Sequence, residues 1–179
     1  SKKKEILLNN IYGVDIDPQA VEVTKLSLLL KVLENASGQL ELGMERILPD
    51  LGNNIKCGNS LVGEDYFSEF PEMISQEVRN RINAFDWKSA FPEVFVQGGF
   101  DAVIGNPPYI RIQAMQEWAS EQVEYFKQKY KAASKGNYDI YGLFIEKGLN
   151  IIKSTGLLSF IAGSKWLQAN YADSLREIM

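Results

Sequence analysis

Asn106, Pro107, Pro108 and Tyr109 follow the apolar run FDAVIG and precede IR. Asn106 and Pro107 each stand before a proline, which drives both out of the helical region into extended backbone. Pro107 and Pro108 have no amide hydrogen to donate. The resulting bend is rigid and rich in acceptors: the Asn106 side-chain oxygen, the Pro107 carbonyl and, beside them, a phenol ring. A planar group bearing an NH2 fits such a corner, each oxygen taking one N–H while Tyr109 stacks on the ring. A surface turn is the bland alternative. A proline-rich docking peptide fits less well, because the prolines close an apolar strand and no PxxP spacing is present.

Two other polar residues occupy the same kind of position. Asp15 follows IYGV and Asn59 follows IKCG. Each alone is an ordinary turn former. Three successive strands ending on such residues suggest one site, since ligands of open parallel sheets bind beyond the carboxyl ends of the strands.

The elements that must position these residues follow from periodicity and from helix and strand breakers. NNIYGVDID predicts a strand, with Ile11, Tyr12, Val14 and Ile16 as its apolar positions. Asp17 and Pro18 predict a helix start. Val23, Leu26, Leu30 and Leu33 continue at helical spacing toward Asn35. Residues 36–53 predict a loop with a short amphipathic turn, 54–57 a second strand closed by Gly58, and 71–84 a helix. FDWKSAFPEVF reads as an aromatic loop. FDAVIG predicts a third strand, apolar enough to be buried on both faces. Residues 117–131 predict a solvated helix, 138–153 a more buried one, GLLSFIAG a fourth strand and 171–179 the start of another helix. Strands alternating with helices predict an α/β fold with a parallel sheet wound on both sides.

Composition narrows the chemistry. The chain of 179 residues has the length of one domain and contains no histidine, which excludes Ser-His-Asp and Cys-His catalysis and imidazole metal sites within it. Cys57 is the only cysteine, so no internal disulfide forms and a reducing, cytoplasmic compartment is expected. No apolar run reaches the roughly 20 residues of a membrane span. The net charge of -4 has the wrong sign for holding nucleic acid by the whole surface. Lys127, Lys129, Lys131 and Lys135 read as a solvated face, and Trp87, Trp118 and Trp166 as packing residues.

The segments IYGVDIDPQAVEVTKLSL, NIKCGNSL and FDAVIGNPPYIR together resemble the second, third and fourth motifs of S-adenosylmethionine-dependent amino-methyltransferases. NYDIYGLFIEKGLNIIKSTGLLSFIAGSKWL resembles their fifth and sixth motifs and continuation. With FDWKSAFPEVF as lead-in, the resemblance points to one branch: the adenine-N6 DNA methyltransferase part of bifunctional type IIG (type IIS-cutting) restriction-modification enzymes. It implies a doubly wound, mostly parallel, Rossmann-like sheet. That family's first motif, Phe-x-Gly-x-Gly, and the central strand before it are absent here. Residues 1–179 are therefore expected to be an interior, partial methyltransferase catalytic domain without nuclease or target-recognition domains.

By the same resemblance, Asp15 would accept hydrogen bonds from the cofactor ribose and Ile16 would pack on its adenine. Asn59, with Ser60 beside it, would stand where relatives place an acceptor for that adenine's amino group. Asn106 and Pro107, braced by Pro108, would bind the target amino group, and Tyr109 would stack on the target base. The implied cofactor is S-adenosylmethionine, no metal is called for, and the partner is double-stranded DNA with an adenine flipped out. Weak cofactor binding and no activity are expected of these residues alone. With the central strand missing, the sheet should close by direct pairing, by borrowing the N-terminal segment, or by dimerising through its exposed edges. Glutamine methylation of release factors is an alternative, since that family also carries NPPY; cytosine-N4 methylation and a catalytically silent interaction module are others.

Overall fold

The computed structural model describes residues 2–33, 49–71, 75–134, 138–164 and 176–177. It is a mixed α/β structure containing two parallel strand pairs.

The first pair joins β1 (Gly13–Asp15) to β2 (Ile55–Cys57), Gly13 opposite Ile55 and Asp15 opposite Cys57. Between them runs α2 (Pro18–Leu33), started by Asp17, whose Oδ1 accepts the Gln19 amide at 2.8 Å, with Pro18 at the first helical position. The N-terminal segment is a helix, α1 (Lys2–Asn10). Buried Asn54 ends it: its side-chain amide donates to Leu8 O at 2.8 Å and Ile11 O at 3.0 Å, carbonyls left over at a helix terminus. Leu7, Val21, Leu51 and Ile55 form the small core here.

The second pair joins β3 (Phe100–Gly105) to β4 (Ile152–Phe160) through α9 (Tyr141–Ile151). Ala102 lies opposite Leu157 and Gly105 opposite Phe160, with a register shift near Phe100. Gly99 turns the chain into β3 at φ +118°, where a side chain would also collide with the Ile151 carbonyl. α9 packs against Leu158 and Phe160 on one face of the pair and continues into the main core. That core is completed by α3 (Tyr66–Glu69), α4 (Gln76–Ile82), α7 (Ile112–Gln116) and α8 (Ser120–Lys129).

Several expectations change. Among the described residues the two pairs do not join into one sheet: β1 does not pair with β3, and the N-terminal segment is helical instead of supplying a strand. Their starts meet through side chains, the Tyr12 ring centroid lying 5.8 Å from that of Phe100. β3 is not buried on both faces, because α9 covers only one, and Ile104 on the other is 82% exposed. The apolar stripe Val23, Leu26, Leu30 and Leu33 on α2 faces solvent, while Val21, Leu28, Leu29 and Val32 face the core.

FDWKSAFPEVF is not a loop. It forms α5 (Trp87–Ala90), capped by Asp86 on the Ser89 amide at 2.6 Å, and α6 (Pro92–Val96), with proline in its first turn. The helix expected to be solvated, α8, buries Val123, Tyr125 and Phe126. The loop expected over 36–53 falls mostly outside the described residues, as does the last helix.

Candidate functional site

A cleft of about 1030 Å³ opens between the two strand pairs, and the carboxyl ends of β1, β2 and β3 all reach it. Asp15, Ile16, Asn59, Ser60, Asn106, Pro107 and Pro108 line this cleft. Tyr109 does not. Its ring is 60% exposed beside the cleft, its hydroxyl donates to Ile161 O at 3.2 Å, and the ring leans on Tyr141 at a centroid distance of 6.1 Å.

The bend is fastened on both sides and left open in the middle. Before it, Gly105 O accepts the Ile161 amide at 3.2 Å. After it, the Ile140 amide donates to Ile110 O at 2.9 Å and the Ile112 amide to Tyr138 O at 3.1 Å. Between these anchors, neither the Asn106 side chain nor the Pro107 carbonyl has a hydrogen-bond partner among the described residues. Both oxygens thus lack a partner in the fold, on an exposed Asn106 and a buried Pro107 that both line the cleft, and neither Pro107 nor Pro108 has an amide hydrogen.

On the opposite wall, Asp15 Oδ1 accepts the Asp17 amide at 2.9 Å, and no partner occupies its second oxygen among the described residues. Ile16 is exposed beside it. Asn59 Oδ1 accepts the Leu61 amide at 3.1 Å, which leaves one lone pair. The turn before Asn59 is tight: a Cβ on Gly58 would come within 2.5 Å of the Phe85 ring, so only glycine lets that ring close over the strand end. Trp87 steadies the same loop, its indole N–H donating to Ser60 O at 3.1 Å and its ring meeting Phe85 edge-on at 5.4 Å. Trp87 packs as expected from the sequence.

Arg81 and Lys147 bring positive charge to the lining, Glu121 and Asp15 negative. Desolvation holds the Lys147 ammonium below the usual lysine range, against the opposing pull of Asp65, Asp86 and Glu146. In the expected charge run, Lys127 and Lys131 are exposed, as a solvated face would have them, and Lys129 bridges two elements. Lys127 pairs with Glu124 at 3.2 Å, and Lys129 with Asp65 at 2.7 Å and Glu69 at 2.6 Å. The Lys131 amide donates to the buried carboxylate of Glu146 at 3.0 Å. Lys135 and Trp166 lie outside the described residues. No cluster of three metal-ligating side chains is found among the described residues, and none of their helices is long and apolar enough to cross a membrane.

Sequence reasoning missed Gln122, whose side-chain oxygen accepts Asn59 Nδ2 at 3.5 Å across 63 residues of sequence. No local signal marks it, because the contact exists only once α8 packs against the β2 end. It also missed Tyr141, which supports the Tyr109 ring from α9.

The chain is 34% identical over 177 residues to the type II restriction enzyme and methyltransferase RM.Eco57I of Escherichia coli, covering 99% of this chain and 16% of that protein. A 62-residue stretch, 35% of this chain and 5% of its counterpart, is 50% identical to the putative type II restriction enzyme and methyltransferase RM.MjaORFECS2P of Methanocaldococcus jannaschii. The adenine-specific methyltransferase PglX of Streptomyces coelicolor is 29% identical over 111 residues, 59% of this chain and 9% of that protein. The profile of the Eco57I restriction-modification methylases matches residues 9–179, and the chain belongs to that family.

Proposed function

We propose that residues 1–179 form part of the catalytic domain of a restriction-modification DNA methyltransferase that acts on the N6 amino group of adenine. The observation that carries this reading is the open pair of acceptors at Asn106 and Pro107, in the cleft that Asp15 and Asn59 also line. Residues of β1 and of β3, strands that do not pair with each other among the described residues, both line that cleft.

The residues fit S-adenosylmethionine: Asp15 offers a free carboxylate oxygen for ribose hydroxyls, Ile16 an exposed apolar face, and Asn59 a remaining lone pair for an amino group. Bound there, that cofactor would supply an electrophilic methyl on a sulfonium. The chain's own residues act on the acceptor. An adenine amino nitrogen is a weak nucleophile, because its lone pair is delocalised into the ring. Asn106 Oδ1 and Pro107 O, each taking one N–H, favour a tetrahedral nitrogen with its lone pair restored. The Tyr109 ring offers a stacking face that offsets part of the few kcal/mol needed to extrude the base. No histidine, metal or covalent intermediate is required. With net charge -4, this part contributes chemistry more than grip on DNA.

The test is the product. The whole methyltransferase carrying these residues, incubated with labelled S-adenosylmethionine and duplex DNA, should yield N6-methyladenine on nucleoside digestion. Label in N4-methylcytosine, or in a protein glutamine instead of DNA, would refute the assignment.

A further inference from the structure

Trp118 is not the packing residue expected from the sequence, being 64% exposed, and it belongs to the cleft already described. Arg111 lies outside that lining, and the proposed reaction gives it no work. It is exposed, and its guanidinium has no ion pair or hydrogen bond among the described residues.

Its backbone, by contrast, is held. Arg111 is extended, at φ -76° and ψ 138°, and bridges Asp139 in antiparallel fashion, with the hydrogen bonds of Ile110 O and the Ile112 amide on either side. Successive side chains of extended backbone point to opposite faces. Burial follows that rule: Ile110 turns into the cleft lining and Ile112 into the main core, while Tyr109 and Arg111 are exposed. A ring and a guanidinium thus share the outward face beside the cleft, with roughly 7 Å between their places on the backbone.

Asp139 stands opposite Arg111 at the bridge, yet the two form no ion pair. Lys25, Lys127, Lys129 and Lys153, in contrast, are each paired with a carboxylate. Arg111 therefore keeps its charge for a partner outside the fold.

We infer that Arg111 binds a phosphate of the DNA backbone beside the target nucleotide, its forked guanidinium meeting the phosphate oxygens while the Tyr109 ring meets the base. The inference rests on the proposed methyl-transfer site. The partner is DNA and not an acidic protein segment, because the cation shares its face with a stacking ring next to the amine-binding bend, and a nucleotide carries base and phosphate together.

Neutral methylphosphonates, placed one at a time through the recognition site of a duplex, test this in the whole methyltransferase. On the natural duplex, Arg111→Gln should weaken DNA binding about tenfold and raise KM for DNA with far less change in kcat. It should also reduce the slope of log affinity against log salt by about one. Where the neutral linkage replaces the contacted phosphate, the wild type should fall to the affinity of Arg111→Gln, and the variant should lose nothing more. Arg111→Lys should recover part of the loss by restoring the charge. Unchanged cofactor affinity verifies that each variant is folded. An unchanged salt slope in Arg111→Gln, or a loss that stays the same on every substituted duplex, would overturn the proposal. Coupling to one phosphate in an enzyme whose product is not N6-methyladenine would sink the proposed function and leave the phosphate contact standing. N6-methyladenine formed without any such coupling would do the reverse.

Discussion

Tyr109 presents two separable features, a ring and a hydroxyl, and the proposed reaction would use only the ring. The hydroxyl holds Ile161 O at 3.2 Å on the protein side, and the ring stays exposed next to the acceptor bend. Removing only the hydroxyl leaves the stacking face, so Tyr109→Phe should keep methyl transfer within a few-fold of wild type. Tyr109→Ala removes the platform, worth about 1–3 kcal/mol for a stacked base. It should lower kcat/KM for DNA by about ten- to a hundred-fold, accompanied by reduced fluorescence of a 2-aminopurine placed at the target position. Equal losses in both variants would mean that the hydroxyl, not the ring, carries the role. The oxygens of Asn106 and Pro107 were legible in the sequence because proline chemistry fixes the backbone locally. The anchoring of Tyr109 to the end of β4 was not, since it depends on a contact 52 residues away.

Between elements, the best-defined polar junction outside the cleft ties α3 to α8. Asp65 receives the Tyr125 hydroxyl at 2.8 Å and the Lys129 ammonium at 2.7 Å, and Glu69 receives the same ammonium at 2.6 Å. Burial would raise the Asp65 carboxyl, but the Lys129 and Tyr125 bonds outweigh it and hold the group below its ordinary value of 3.8. A carboxylate depressed in the folded state adds stability above its unfolded value and loses it as pH falls through the folded one. The junction is half open to solvent, so Asp65→Asn should cost only about 0.5–1 kcal/mol at pH 7. In urea unfolding, the gap between wild type and variant should close as the pH is taken below 3.8. A gap independent of pH would assign the effect to packing instead. This junction was hidden in the sequence: Lys129 read as one of a solvated run, and its partners are the N-cap and the last residue of a short helix at least 60 positions earlier.

At the scale of the molecule, the parallel pairs were legible, because the strand–helix–strand order forces each one: β1, α2, β2 and then β3, α9, β4. How the pairs stand to each other was not legible. Apolar content marks a strand as able to be buried, and it does not say what covers it. Ile104 on β3 and the outer stripe of α2 carry core-like residues that no described element covers. The cleft lies between the same two strand pairs, which do not join among the described residues, and the three polar strand ends line it. Those strand ends were found from spacing alone. The residues contributed by α8 and the turn before it, Gln122 and Trp118, came only with the folded chain.

The central claim is that the Asn106 amide oxygen activates the target amine. It is tested most directly by single-turnover methyl transfer with Asn106→Ala in the whole methyltransferase, alongside DNA and cofactor binding. Loss of one preorganised partner of the reacting group should slow transfer about 100- to 1000-fold while both affinities change little. Transfer at close to the wild-type rate in Asn106→Ala would contradict the claim.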